Sequence, residues 1–323
     1  MTALFERLTS SLGRAPVLVD VGASGATPKI WEPIAKRSIF VGFDPDLREM
    51  REVTGETFSR AIIVNEAVVA DESLSAARFY FTRSPFCSST LPPDTSALSA
   101  YIFSELFKVE REGEVRASTL NSVLKRLSLD RIDWLKVDSQ GTDLRLLKSL
   151  DDAVRASVLA VDIEPGLIDA YVGEDLFVDS HKELVKEGFW LSDLKVCGTV
   201  RMRQSTLQAI RSERPSFDER LIHRALRTSP GWCEARYLRS AEWLSDRGAQ
   251  RADYVLLWIF AAVERQWGFA LDLTLEAERR FGPSTDWRDM KEHSIVAIRT
   301  RATPAFSLPR RVARRILGKL QQL

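Results

Sequence analysis

The sequence predicts an α/β fold: a Rossmann-like, mostly parallel sheet with a terminal antiparallel hairpin, plus a C-terminal helical region. Two strand–turn–helix segments support this prediction, one opened by the apolar strand 17–19 and one by the strand 132–137. Short apolar runs are typical of strands buried on both faces, and their alternation with helical segments favours parallel pairing. The third observation is a change of composition near residue 205, after which helix-like segments follow one another.

The first strand leads into a turn of small residues. Asp20 ends the strand, and Gly22, Ala23, Ser24 and Gly25 follow it. The glycines let the backbone turn sharply and come close to a ligand. A strand, a small-residue turn and the start of a helix are typical of a nucleotide-type pocket, although the same pattern also occurs without a ligand.

The second predicted strand, at 38–43, ends in Asp44. An acidic residue at this place holds ribose hydroxyls in dinucleotide-binding folds, so the pairing of Asp44 with the glycine turn favours a nucleotide-like ligand. The remaining predicted elements are helices at 30–36, 46–53, 119–127, 144–150 and 179–187, strands at 60–69, 77–82, 132–137 and 157–163, a loop at 84–93, and a hairpin of strands 189–194 and 196–202.

The chain divides into four predicted parts. An amphipathic helix occupies 1–15, the α/β domain 16–204, a helical domain or cap 205–303, and a basic amphipathic tail 304–323. The tail combines arginine pairs with apolar residues, which predicts weak peripheral contact with an anionic membrane or packing on its own domain. Helices of the third part are predicted at 207–212, 217–227, 234–246, 249–265 and 271–281, around an interior that contains Trp232, Trp243, Trp258, Trp267 and Trp287.

Bulk composition narrows the classes of function. The net charge of +1 gives no general attraction to nucleic acid, and we expect no such partner. Three distant cysteines fit a reducing, cytoplasmic location and lack zinc-site spacing. No apolar stretch is long enough to span a membrane, and the N-terminus is predicted as a helix rather than a signal peptide. The sequence leaves open whether the protein forms a homo-oligomer.

Six motifs occur in one order between residues 16 and 203: VDVGASG at 19–25, VGFDPD at 41–46, NEAV at 65–68, SST at 88–90, IDWLKVDSQGTDLRLLKSL at 132–150 and VLAVDIEPG at 158–166. With these motifs the sequence resembles the FkbM-type methyltransferases, class I enzymes that use S-adenosylmethionine. Ser24, Gln140 and Asp143 depart from the residues that this family more often has at those positions. The departures leave the acceptor and the catalytic details open.

The resemblance implies a cofactor site for S-adenosylmethionine and an acceptor hydroxyl group on a sugar, glycan, lipid-linked or polyketide-type compound. By position, it places Asp20, Gly22, Ala23, Ser24 and Gly25 at the methionine end of the cofactor, Asp44 at the ribose, Phe43 and Pro45 near the adenine, Glu66 and Ala67 at the adenine edge, and Asp138, Ser139 and Gln140 towards the sulfonium and the acceptor.

Transfer to a hydroxyl group requires a group that removes its proton. Asp138 is the first candidate, as base or acceptor-orienting residue, because it ends the strand 132–137; Glu164, after the next strand, is the second. Asp138 could instead cap the following helix or bind the cofactor, and Glu164 could be a turn residue. Carboxylates at strand ends also suit a divalent metal, but no ligand set is evident. His181 is expected on the surface or in the core with a hydrogen-bond partner.

Two other functions stay open from the sequence. One is a nicotinamide-dependent oxidoreductase, although the loop lacks the complete G-x-G-x-x-G pattern. The other is a catalytically silent Rossmann-like scaffold whose helical region docks a partner through Trp243 and Trp258, which could equally be core residues. The three functions differ in the cofactor that should bind: S-adenosylmethionine, a nicotinamide, or neither.

Overall fold

The computed structural model describes residues 2–24, 27–46, 48, 57–217 and 219–302. Gly25, most of the predicted helix 46–53 and the tail 304–323 lie outside the described residues. The strands are β1 (Val17–Val21), β2 (Ile39–Phe43), β3 (Arg60–Val64), β4 (Ala67–Val68), β5 (Ala76–Thr82), β6 (Val109–Ser118), β7 (Trp134–Val137), β8 (Ala160–Ile163), β9 (Phe189–Thr199) and β10 (Ser229–Arg239).

The helices surround these strands. They are α1 (Thr2–Ser10), α2 (Glu32–Ala35), α3 (Thr95–Leu98), α4 (Leu120–Arg126), α5 (Asp143–Lys148), α6 (Asp152–Ser157), α7 (Phe177–Lys186), α8 (Gln204–Glu213), α9 (Glu219–Ala225), α10 (Ala241–Asp246), α11 (Arg251–Val263), α12 (Trp267–Phe281) and α13 (Thr285–Ala302), with short 3-10 helices at Lys29–Trp31, Pro85–Cys87 and Ile102–Phe107.

The main sheet has the strand order β3-β2-β1-β7-β8-β10-β9. The first five strands are parallel, and β10 runs antiparallel to both of its neighbours. This arrangement confirms the predicted mostly parallel sheet with an antiparallel end. The chain order reverses between β1 and β7, and open α/β sheets bind ligands beyond the carboxyl ends of the strands at such a point.

Alternating side chains of the central strands build two separate apolar layers. In β1, Leu18 points to one layer, whereas Val17, Val19 and Val21 point to the other, as the period of two in a strand requires. The layer of Leu18 is covered by α1, α11, α12 and α13, and the opposite layer by α4, α5 and α7. The C-terminal helices therefore pack on one face of the sheet.

Within this first layer, α11 is apolar on all sides because it is enclosed on all sides. Its Trp258 is fully buried, and the indole nitrogen lies 3.2 Å from the Ser294 hydroxyl oxygen. Trp243 is partly buried and contacts Arg239, whose guanidinium carbon lies 4.0 Å from the ring centroid. Trp258 is therefore a core residue rather than a docking residue.

The predicted hairpin of 189–194 and 196–202 is wrong. Residues 189–199 form one strand, β9, which pairs with β10. The predicted helix 234–246 is also wrong in its first half, which belongs to β10; Trp232 likewise lies on this strand. Buried Cys233, Ala235 and Tyr237 alternate with less buried residues, which is the period of a strand. The sheet thus extends beyond residue 204.

The predicted strand 60–69 is divided between two sheets. β3 is an edge strand of the main sheet, whereas β4 belongs to a smaller sheet of order β4-β6-β5. β6 was missed by the sequence prediction because half of its residues are charged, which obscures a weak alternation: exposed Glu114 and Arg116 alternate with the less exposed Val115 and Ala117. β5 confirms the predicted strand 77–82.

The fold predicts that the N-terminal helix is an integral part of the core. Phe5 is fully buried, and its ring meets Trp258 edge-on at 6.0 Å. Phe5→Ala should lower the free energy of unfolding by about 3–5 kcal/mol, the usual cost of such a cavity. Urea denaturation measures this change. Val178→Ala, at a side chain that is 65 % exposed, should stay within about 0.5 kcal/mol of wild type. Equal losses in the two variants would contradict the prediction.

Candidate active site

A cleft with about 590 Å³ of empty space, part of it open to solvent, lies beyond the carboxyl ends of β1, β2 and β7. Residues from the 84–93 segment, including Phe86 and Ser88, form its outer wall. The residues predicted for a cofactor that line it are Gly22, Ser24, Phe43, Asp44, Pro45, Glu66, Ala67, Asp138, Ser139 and Gln140. The structure therefore brings most of the predicted residues to one place; their role in binding stays a prediction.

Gly22 allows the two central turns to approach each other. A Cβ atom on this residue would lie 2.2 Å from the carbonyl oxygen of Asp138, and the backbone φ of Gly22 is +81°. The Asp138 amide donates to the Val21 carbonyl at 2.9 Å, which holds the turns together. Because a side chain here would collide with backbone, only glycine permits this contact.

Asp20 and Ala23 do not line the cleft. Asp20 is buried beneath it, and its carboxylate lies 2.9 Å from the Lys136 ammonium. Burial raises the pKa of Asp20 to about 6, against the opposing effect of Lys136. Ala23 contacts the sheet, where its amide donates to the Phe43 carbonyl at 2.9 Å. Both residues support the turn from below.

Asp44 and Glu66 both line the cleft, but the surroundings of their carboxylates differ. Asp44 is 6 % exposed, and its Oδ1 accepts a hydrogen bond from the Asp46 amide at 2.7 Å. Burial raises its pKa to about 6. Burial acts on Glu66 in the same direction, but Arg126 and Arg116, at 3.1 and 3.0 Å, outweigh it and lower the pKa. Glu66 is thus neutralised by arginines, whereas no arginine among the described residues forms an ion pair with Asp44.

A second cavity, with about 1130 Å³ of empty space, part of it open to solvent, adjoins the cleft. The two share Phe86, Asp138 and Gln140 as a common wall. On its far side, the rings of Phe103 and Trp232 stack at a centroid distance of 6.2 Å. Sequence reasoning missed this cavity because its lining comes from β10, the turn after β8 and two loops that are distant along the chain. Further lining residues include Glu164, Tyr171, Glu174 and Glu234.

Asp138 and Glu164 both lie on the second cavity, and only Asp138 of the two also lines the cleft. Burial raises the pKa of Asp138, while Lys136 and a hydrogen bond from Gln140 act against this rise. Burial and the nearby Asp138 raise the pKa of Glu164 well above its usual range. The charge of Asp138 disfavours ionisation of Glu164, so the pair ionises less easily than two separate carboxylates would.

Asp143 connects the two turns that carry these carboxylates. Its Oδ1 accepts from the Ser139 amide at 3.0 Å, and its Oδ2 accepts from the Glu164 amide at 2.9 Å. The side chain is buried, and burial raises its pKa to about 6. Asp143 therefore supports the site from within the protein and does not line either cavity.

Comparison with protein families matches residues 38–189 to the family described as Methyltransferase FkbM domain. The chain carries an FkbM methyltransferase domain. The matched segment includes Asp44, Glu66, Asp138 and Glu164 and begins after the glycine turn. This match confirms the resemblance inferred from the motifs. Searches of curated proteins and of solved structures found no significant match.

Three further features bear on function: the surroundings of His181, metal ligands and membrane-spanning helices. Nδ1 of His181 lies 3.1 Å from the Tyr237 hydroxyl oxygen, which gives the histidine a partner. Within the described residues, no group of three or more His, Cys, Asp or Glu side chains is arranged to hold a metal ion. Nor does any helix in that part of the chain have the length and apolarity needed to cross a membrane.

The raised pKa of Asp44 predicts a pH-dependent effect on stability. Between about pH 4 and pH 6 the carboxyl ionises in the unfolded chain but stays protonated in the fold, so wild type loses stability as pH rises. Asp44→Asn keeps the acceptor for Asp46 and removes the charge. Its melting temperature relative to wild type should therefore rise across this window and level off above it.

The control for this measurement is Asp71→Asn. Asp71 is fully exposed, and hydrogen bonds from Ser73 lower its pKa. Its variant should lose melting temperature relative to wild type as pH rises through the acid range. A difference for Asp44→Asn that is flat between about pH 4 and pH 6, or that has the sign of the control, would contradict the assignment.

Proposed function

We propose that the protein is an S-adenosylmethionine-dependent methyltransferase that methylates a hydroxyl group on a sugar, glycan, lipid-linked or polyketide-type acceptor. The wall shared by the cleft and the second cavity carries this proposal. Asp138 and Gln140 line both the cleft and the second cavity, and both lie within the segment that matches the methyltransferase family. A donor in the cleft and an acceptor in the cavity would meet at this wall.

The residues of the cleft fit this cofactor. Gly22 lets the turn after β1 approach the turn of Asp138, where a Cβ atom would lie 2.2 Å from the Asp138 carbonyl oxygen. Asp44 provides a carboxylate that can accept a hydrogen bond from a ribose hydroxyl, as in related α/β folds. Phe43 and Phe79 add apolar surface to the same cleft, which suits an adenine ring. No described group of ligands supports a metal in addition.

When bound, S-adenosylmethionine would supply a methyl group on a positively charged sulfur: the acceptor oxygen would bond to the methyl carbon as the carbon–sulfur bond breaks, with S-adenosylhomocysteine as the leaving group. The protein's main task is then to hold the acceptor in line with the donor, since alignment alone can supply several kcal/mol. We assign the negative charge to Asp138, which lies at the shared wall, and Asp138 accepts the hydroxyl proton. Glu164, whose pKa is raised by burial and by Asp138, keeps its proton and donates a hydrogen bond that orients the acceptor. The stacked Phe103 and Trp232 give the cavity a flat apolar wall.

The first prediction of this proposal concerns binding. Calorimetry should detect S-adenosylhomocysteine binding, and Asp44→Ala should weaken it by about 1–3 kcal/mol, the usual cost of losing hydrogen bonds to a charged group. Asp71→Ala, at an exposed turn, should bind as wild type does. Binding of a nicotinamide dinucleotide in place of S-adenosylhomocysteine would favour the oxidoreductase, and binding of neither would favour the silent scaffold.

The second prediction concerns turnover. Mass spectrometry of reactions with a panel of sugar, lipid and polyketide hydroxyl compounds should reveal an acceptor that gains one methyl group. Asp138→Asn should lower the rate on that acceptor by about 10²–10⁴-fold, the range for loss of a general base. Affinity for S-adenosylhomocysteine should change little. Normal turnover in this variant would assign the base elsewhere, and Glu164→Gln would then be the next variant to measure.

A further inference from the structure

Gln140 has a backbone conformation that residues other than glycine rarely adopt. Its φ is 58°, in the left-handed region. Residues with a Cβ atom keep such a conformation only where their surroundings hold them, and these positions cluster at functional sites. The surroundings of Gln140 therefore show what the protein gains from this turn.

Three hydrogen bonds hold Gln140. The Ser89 hydroxyl donates to its carbonyl oxygen at 2.7 Å. The Tyr171 hydroxyl donates to its side-chain Oε1 at 2.8 Å, and its Nε2 in turn donates to Oδ1 of Asp138 at 2.5 Å. The single proton of the tyrosine is divided between Gln140 Oε1 and the Cys87 carbonyl oxygen, since both are acceptors within reach. With Oε1 towards Tyr171, the amide nitrogen faces Asp138, and the tyrosine favours this orientation of the glutamine.

Tyr171 is well placed to act as a permanent donor. It is 3 % exposed, and its ring packs edge-on against Phe107 at 5.6 Å. Burial raises the pKa of the hydroxyl well above its ordinary value, so the group stays protonated. The same hydroxyl lies 2.9 Å from the Cys87 carbonyl oxygen. One side chain therefore connects the cleft wall, the turn after β7 and the wall of the second cavity.

We propose that Tyr171 is a positioning residue: through Gln140 it holds the Asp138 carboxylate in one orientation and in its ionised form, at the boundary between cleft and cavity. The inference rests on the proposed function, because that function gives Asp138 its place beside the reacting groups. It adds a residue outside the motifs of the sequence and assigns it a role that does not require contact with either substrate.

The charge state of Asp138 depends on several neighbours. Lys136 favours its ionised form, as does the hydrogen bond from Gln140, whereas burial and Glu234 oppose it. A change in any one of these contributions should move the pH at which Asp138 titrates. The titratable groups that interact with Asp138 from the surrounding elements are Asp20, Asp44, Cys87, Lys136, Asp143, Glu164, Tyr171 and Glu234.

Two cofactor analogues can report this titration without a known acceptor. S-adenosylhomocysteine is uncharged at the position of the transferred methyl group, and sinefungin has a protonated amine there. The ratio of their affinities, measured by calorimetry on the full chain between about pH 5 and pH 8, follows the ionisation of a carboxylate beside that position. Each variant is also measured in a Glu164→Gln background, because two coupled carboxylates titrate as a pair.

In Tyr171→Phe, we expect the midpoint of this ratio to move to higher pH by about one unit, the effect of losing an oriented hydrogen bond to a charged group. Affinity for S-adenosylhomocysteine should stay within about twofold of wild type, since the ring and its packing are kept. Gln140→Met should produce a similar shift, and the double variant should show no more than either single variant. Tyr237→Phe, which removes a buried hydroxyl paired with His181, is the matched control and should leave the midpoint in place.

Two results would overturn the inference: an unchanged midpoint in Tyr171→Phe, or additive shifts in the double variant, which would mean that the tyrosine acts independently of Gln140. If Tyr171→Phe does not fold, Gln140→Met tests the same chain of hydrogen bonds from its middle, and an unchanged midpoint there has the same meaning. If wild type binds neither analogue, the proposed function itself fails, and this outcome is distinct from a midpoint that does not move.

Discussion

The close contact between Gly22 and the Asp138 carbonyl is the constraint on which the site depends. It joins the turns after β1 and β7 at the point where the order of the parallel strands reverses. A Cβ atom at Gly22 would push these turns apart, and the cleft and the second cavity would then lose their common wall. The chemistry of the site follows from this approach, because it brings the predicted cofactor turn against the carboxylate that both cavities share.

Several carboxylates lie around that shared wall, and Lys136 is a partly buried cation beside them. Burial alone would lower the pKa of Lys136, but Asp20, Asp138 and Glu164 outweigh this effect and keep the ammonium charged. The lysine therefore lets one carboxylate stay ionised where burial favours neutral forms. The proposed methyl transfer to a hydroxyl group requires this balance, since full neutralisation of the carboxylates would leave no base.

The C-terminal helices stabilise the sheet from which this site is built. The ring centroids of Trp134 in β7 and Phe260 in α11 lie 4.7 Å apart, in the apolar layer that contains Leu18. Phe5 of α1 packs in the same layer. β10 enters the sheet between β8 and β9, and its Trp232 reaches the second cavity. The region after residue 205 is thus part of both the core and the candidate acceptor site.

The sequence by itself determined the parallel strands, the turns at their ends and the family, because each depends on residues that are neighbours along the chain. The apolar run of β1, the glycine turn and Asp44 could all be read from local pattern. The tertiary structure decided four other features. They are the pairing of β9 with β10, the charged strand β6, the buried ion pair of Asp20 with Lys136, and the contact of Tyr171 with Gln140. These features join segments that are far apart in sequence, and local periodicity carries no information about which distant partner will neutralise a charge or complete a sheet.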